Sequence, residues 1–148
     1  MSCRLAELAR ARAGTAALEF ALVGPVLLLL MLGIFQLGIT LNNYQMVTGA
    51  ALSAARQLAL SRGTSTPKTD TVTQVYASAP VLTQASFTIT LSVNGTPCAT
   101  DPLCQTALST AQGQPAAVTV SYPCNLVIYG HDYAPSCNLI STTTERIE

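Results

Sequence analysis

The stretch RARAGTAALEFALVGPVLLLLMLGIFQLG, residues 10–38, decides how the rest of the chain must be arranged. It opens on Arg10 and Arg12, passes Gly14, and then runs apolar with one early exception, the carboxylate of Glu19. From Phe20 to Leu41 there are 22 consecutive residues without a formal charge. As a helix they span about 30 Å, the thickness of a bilayer's hydrocarbon core. Arg4, Arg10 and Arg12 outweigh Glu7 before the span, and cationic flanks stay cytoplasmic. The chain after residue 41 is therefore expected on the far side of the membrane. The apolar run is longer than a cleaved secretory signal requires, and the small residues TGAALSAA, 48–55, lie well past its end. A lipoprotein signal is disfavoured because no cysteine follows the run until Cys98. The span reads as an anchor.

The remaining composition narrows the classes of function. The 148 residues are 49% hydrophobic and 9% charged, a charge content far below that of ordinary soluble domains. Seven basic and seven acidic residues leave no net charge, so no broad cationic surface exists for nucleic acid. Cys98, Cys104, Cys124 and Cys137 all fall in the portion expected to face an oxidising space, and Cys3 lies before the span. Disulfides are favoured over zinc because five and twelve intervening residues do not make the paired spacing of a zinc site. Of three possible pairings, the short separations favour Cys98 with Cys104 and Cys124 with Cys137; Cys104 with Cys124 is the main rival. No GxxxxGK[ST], HExxH or GxSxG motif occurs, and His131 beside Asp132 is the only histidine. That pair reads as a solvated loop. No catalytic residue, metal or cofactor is expected, and the chain is not expected to be an enzyme.

Helical periodicity continues past the span. Tyr44, Val47, Ala51, Ala54 and Leu58 recur at spacings of three and four, with Gln45, Ser53, Arg56 and Gln57 on much of the other side. The helix is expected from about Thr15 to Arg62, stopped by Gly63 and barred from resuming by Pro67. Residues 64–71 read as a surface connection before a short helix at about 72–77. In SFTITLSV, 86–93, Phe87, Ile89, Leu91 and Val93 alternate with Ser and Thr, as a strand packed on one face requires. Asn94-Gly95 marks a turn, 98–113 an excursion, and VTVSY, 118–122, a second strand pairing antiparallel with the first. Residues 126–129 are a candidate third strand. The expected class is α+β: a long N-terminal transmembrane helix whose outer half packs on a small extracytoplasmic antiparallel sheet. Its parts are a basic leader at 1–14, the span at 15–41, a helical extension at 42–62 and a disulfide-containing domain at 63–148.

The leader, Gly14, Glu19 five residues later, Phe20 next and the long apolar run resemble a type IV prepilin, and most closely the TadE-like pseudopilins of the tight-adherence (Tad or Flp) pilus system. ALSAARQLAL and the terminal TTTERIE are also suggestive of that family. The resemblance implies a pilin-like fold and cleavage between Gly14 and Thr15 by a prepilin peptidase. It further implies that Glu19 pairs with the new α-amino group of a neighbouring subunit, neutralising a carboxylate otherwise costly in lipid. Thr15 stands where secretion-system pseudopilins carry phenylalanine, and Phe20 where short major Flp pilins carry tyrosine. The implied partners are the peptidase, other pilin-like subunits, the inner-membrane assembly machinery and membrane lipid. The implied location is the bacterial inner membrane, single-pass, with incorporation into a surface pilus as one fate. Gly24-Pro25 is expected to kink or loosen the helix, since proline lacks the amide hydrogen and crowds the preceding turn. The rival readings are an uncleaved, membrane-anchored extracytoplasmic scaffold and, more remotely, a tethered enzyme.

Overall fold

The computed structural model describes the backbone of residues 2–124, 127–128 and 130–148, with side chains over 17–124 and 130–148. The chain divides into two compact units, Met1–Ile39 and Thr40–Glu148.

The first unit belongs to helix α1 (Ser2–Leu60). Leucine and its neighbours surround the helix on all sides: Leu18 is 66% exposed, Phe20 76% and Leu28 63%. An 18-residue window from the described part, Ala17–Leu60, has a mean hydropathy of 2.4, and none of it is buried within the protein. A helix this apolar and this uncovered has the length and composition to cross a membrane. It runs through Pro25, where the absent N–H leaves the Ala21 carbonyl without its helical donor.

Within the second unit the same helix changes character. Val47, Ala50, Ala51, Ala54, Ala55 and Leu58 are fully buried on one stripe, at steps of three and one. Four alanines at its centre keep this face narrow, with the larger Val47 and Leu58 at its ends, and all six belong to one buried cluster with the sheet. Tyr44, expected on the same stripe, is 44% exposed; the packed face begins one turn later, at Val47. The helix ends at Leu60, and the chain turns at Gly63, whose φ of +83° a residue with a Cβ rarely adopts.

Four strands form the main sheet in the order β2-β1-β3-β6: β1 (Thr88–Val93), β2 (Thr96–Pro97), β3 (Pro115–Pro123) and β6 (Asn138–Arg146). All neighbours are antiparallel. The expected alternation is present, with Leu91 and Val93 buried beside Ala116, Val118 and Val120 of β3. Asn94 and Gly95 have φ of 50° and 77°, so this two-residue turn matches the strand twist and closes β1 onto β2. Val75 and Ala79 at the end of α2 (Pro67–Ser78) and Leu108 of α3 (Asp101–Thr110) complete one core with the helix stripe and the sheet. No buried side-chain nitrogen or oxygen among the described residues lacks a partner.

Four expectations need correction. Pro67 does not bar a helix; it starts α2, because its missing N–H is one that the first turn would leave unpaired anyway. The excursion after Cys98 contains α3, again with proline in the first turn. The third long strand is β6, whose Ser- and Thr-rich sequence carries little apolar alternation but suits a half-covered edge. The candidate strand at 126–129 contributes only β4 (Val127–Ile128), which pairs with β5 (His131–Asp132) in a separate two-stranded ladder. Residues 126 and 129 lie outside those described.

Candidate functional site

The N-terminal motif is built on α1. Gly14 and Thr15 lie in its helical backbone, and their immediate surroundings fall outside the described side chains. Glu19 is exposed, and no described cation pairs with it. The sequence explains why: after Arg12 the next cation is Arg56, and the positions three and four residues either side of Glu19 are Thr15, Ala16, Leu22 and Val23. No cation thus stands at the helical contact spacing of three or four residues from this carboxylate. An amine on residue 15, four positions away, or a cation from another molecule would supply one. Phe20, also exposed, places its ring beside Gly24, with Cε1 3.8 Å from where a Cβ at Gly24 would stand. A side chain at Gly24 would meet the ring only at ordinary contact distance, so the ring's placement does not depend on glycine there.

The second unit holds the cysteines. Cys98 pairs with Cys104 and Cys124 with Cys137, at Cα separations of 4.9 and 5.3 Å. The first bond ties the chain just after β2 to α3, with both cysteines buried. The second joins the end of β3 to the approach to β6, where the Cys124 N–H also donates to the Cys137 carbonyl at 3.1 Å. His131 and Asp132 are exposed, and the Asp132 carboxylate accepts the Ala134 N–H at 2.9 Å, a local turn contact. No three His, Cys, Asp or Glu residues come together among the described residues.

Asp101 is the polar centre that sequence reasoning missed. Its Oδ1 accepts the backbone N–H groups of Lys68 and Thr69 at 2.7 and 2.9 Å, and its Oδ2 accepts the Thr69 hydroxyl at 2.6 Å. The Thr69 hydroxyl bond, then the Thr69 and Lys68 backbone bonds, hold the carboxyl below its usual value, against partial burial. Lys68 reaches back, its Nζ donating to the Ala99 carbonyl at 2.7 Å. These groups line a cleft of about 530 Å³ together with Val72, Thr73, Thr100 and Pro102. Because three donors already occupy the carboxylate, it serves as a remote helix cap and not as a free acid or base. No local signal announces it, since its partners are about thirty residues earlier in the chain.

Elsewhere the contacts are structural. Phe87 sits between Tyr76 and Tyr122, with ring centroids 6.0 and 5.1 Å away. Arg56 approaches Glu145 at 3.7 Å on a largely exposed surface, a pair that contributes little.

No curated protein and no solved structure matches the chain. Its N-terminal part does match a family: residues 14–56, from the glycine of the motif through the exposed span and into the alanine stripe, are similar to the TadE-like protein family.

Proposed function

We propose that this chain is a minor pilin or pseudopilin that serves assembly of a Tad/Flp-type adhesive pilus. The observation that carries the reading is the family match at residues 14–56, which starts at the glycine where a prepilin peptidase would cut. The isolated Glu19 supports it chemically. Removal of residues 1–14 frees an α-amino group on Thr15, and in a bundle of such helices each amine meets a neighbour's Glu19 carboxylate. Neither group is then left as a lone charge in lipid. The chain's part in this is structural; it supplies an anchor, a counter-charge and a folded domain, and performs no catalysis. It sits in the inner membrane with its N-terminus cytoplasmic and its disulfide domain on the oxidising side, beside the other pilin-like subunits and the assembly machinery.

N-terminal sequencing and intact mass of the chain, expressed with its own peptidase, test the reading. Loss of Met1 to Gly14, abolished by Gly14→Val, is the expected result. A chain that keeps its first 14 residues in that host would instead favour the uncleaved anchored scaffold.

A further inference from the structure

The three hydrogen bonds on Asp101 occupy an unusual place: they lie inside the ring closed by Cys98 and Cys104. Helix α2 has no local cap, because Thr66 makes no side-chain capping bond. Its first N–H groups depend on Asp101, 33 residues beyond Lys68. Lys68 Nζ lands on Ala99 of the same ring. All the polar bonds described between the start of α2 and this segment thus converge on two residues, Ala99 and Asp101, held between two buried sulfurs. Pro67 and Thr71 pack the start of α2 against the domain, and its far end is secured by Val75 and Ala79 in the core and by the Ser53–Ser78 hydroxyl contact at 2.7 Å. A helix of 12 residues is marginal alone, so acceptors for its first N–H groups add to the order that burial of Pro67 and Thr71 gives its start.

We propose that the Cys98–Cys104 bond is a conformational latch, which seats Asp101 on the N-terminus of α2 when it closes and leaves the first N–H groups of α2 uncapped while the thiols are reduced. Closure takes two protons and two electrons from the cysteines. The electrons pass to a disulfide-carrying oxidant, protein or small molecule, which leaves as the dithiol. Cys98 is 3% exposed and Cys104 fully buried, so the bond is inaccessible to exchange once the domain is packed, and the latch sets once, during folding. The capped start of α2 then forms only in an oxidising space. This goes beyond the pilus reading and does not depend on it.

Hydrogen–deuterium exchange on the full chain in detergent micelles tests the latch, comparing wild type, Cys98→Ser/Cys104→Ser and Asp101→Asn. Amides 68–73 should exchange about tenfold faster in both variants, the order expected for loss of a helix cap, while the β3 amides stay within about twofold of wild type. Asp101→Asn added to the serine pair should produce no further acceleration. Unchanged exchange at 68–73 in the serine pair, equal acceleration throughout the sheet, or additive effects of the two changes would each overturn the latch. Should the serine pair fail to accumulate, Asp101→Asn with its disulfide intact decides alone, and wild-type exchange at 68–73 would refute the proposal.

Discussion

Helix α1 contains two segments of similar secondary structure and opposite physics. Before Thr40 its side chains are large and uncovered, Leu28 63% exposed and Phe35 66%. After Thr40 it presents Ala50, Ala51, Ala54 and Ala55 to a sheet, all at 0%. Hydropathy already separates them, since the second segment carries Asn42, Asn43, Gln45, Arg56 and Gln57. Side-chain size and its distribution around the helix add to that difference. Lipid accepts bulky groups on every side, whereas a sheet accepts a helix only along one narrow stripe, and small residues there allow close approach. Charge follows the same division. In the first segment Glu19 has no described partner, while in the second unit Asp101 has three donors and Glu145 has Arg56.

That contrast is broken most severely at Glu19. If its counter-ion is a neighbour's Thr15 amine, Glu19→Gln strands that amine, which for a buried pair costs about 3–5 kcal/mol. Membrane insertion and cleavage after Gly14 should persist, while co-purification with other pilin-like subunits falls several hundredfold or more. Wild-type piliation in cells carrying only the Gln variant would remove the pairing.

Next in size is the second unit's own cross-link. Cys124→Ser/Cys137→Ser opens a bond of sequence separation 13, and should lower the unfolding free energy of the domain by about 3 kcal/mol. Denaturant titration followed in the second unit would register it. An equal loss of helicity in residues 17–39 would contradict the division into two units.

Ala54→Leu tests the size rule directly. Adding a large group to the buried stripe should cost about 1–3 kcal/mol through displaced packing, read as a lower unfolding midpoint. The converse, Leu28→Ala in the exposed segment, should leave the domain's stability within about 0.5 kcal/mol. If the two substitutions proved equally damaging, exposure in the first segment would be a poor guide to what its side chains do.

The smallest effect is an acid dependence. The Asp101 carboxyl titrates below its ordinary 3.8, foremost because of the Thr69 hydroxyl. Its folded value being lower than its unfolded one, its contribution to stability is complete above the ordinary value and is lost as pH falls through the folded value. Protection of amides 68–73 should therefore fall in that acid window, and Asp101→Asn should remove the dependence. A wild-type profile that stays flat there would mean the cap does not rely on the ionised carboxylate.

What the sequence determined by itself was local or periodic. An uncharged run of 22 residues declares a span, alternation at 86–93 declares a strand, and Asn-Gly a tight turn, because each is governed by neighbours a few positions away. The short disulfide pairings are readable for the same reason. The spacing of Gly14 and Glu19 pointed to the family that residues 14–56 match. Tertiary structure decided what depends on distant chain. Strand β6 has little apolar pattern and exists because β3 offers it a complete ladder, from Pro115 opposite Arg146 to Pro123 opposite Asn138. Helix α2 starts at Pro67 because Asp101 arrives from far along the chain to accept its N–H groups. A hydrogen-bond partner that distant leaves no trace in local sequence, since nothing about Thr66, Pro67 or Lys68 says which acceptor will complete them.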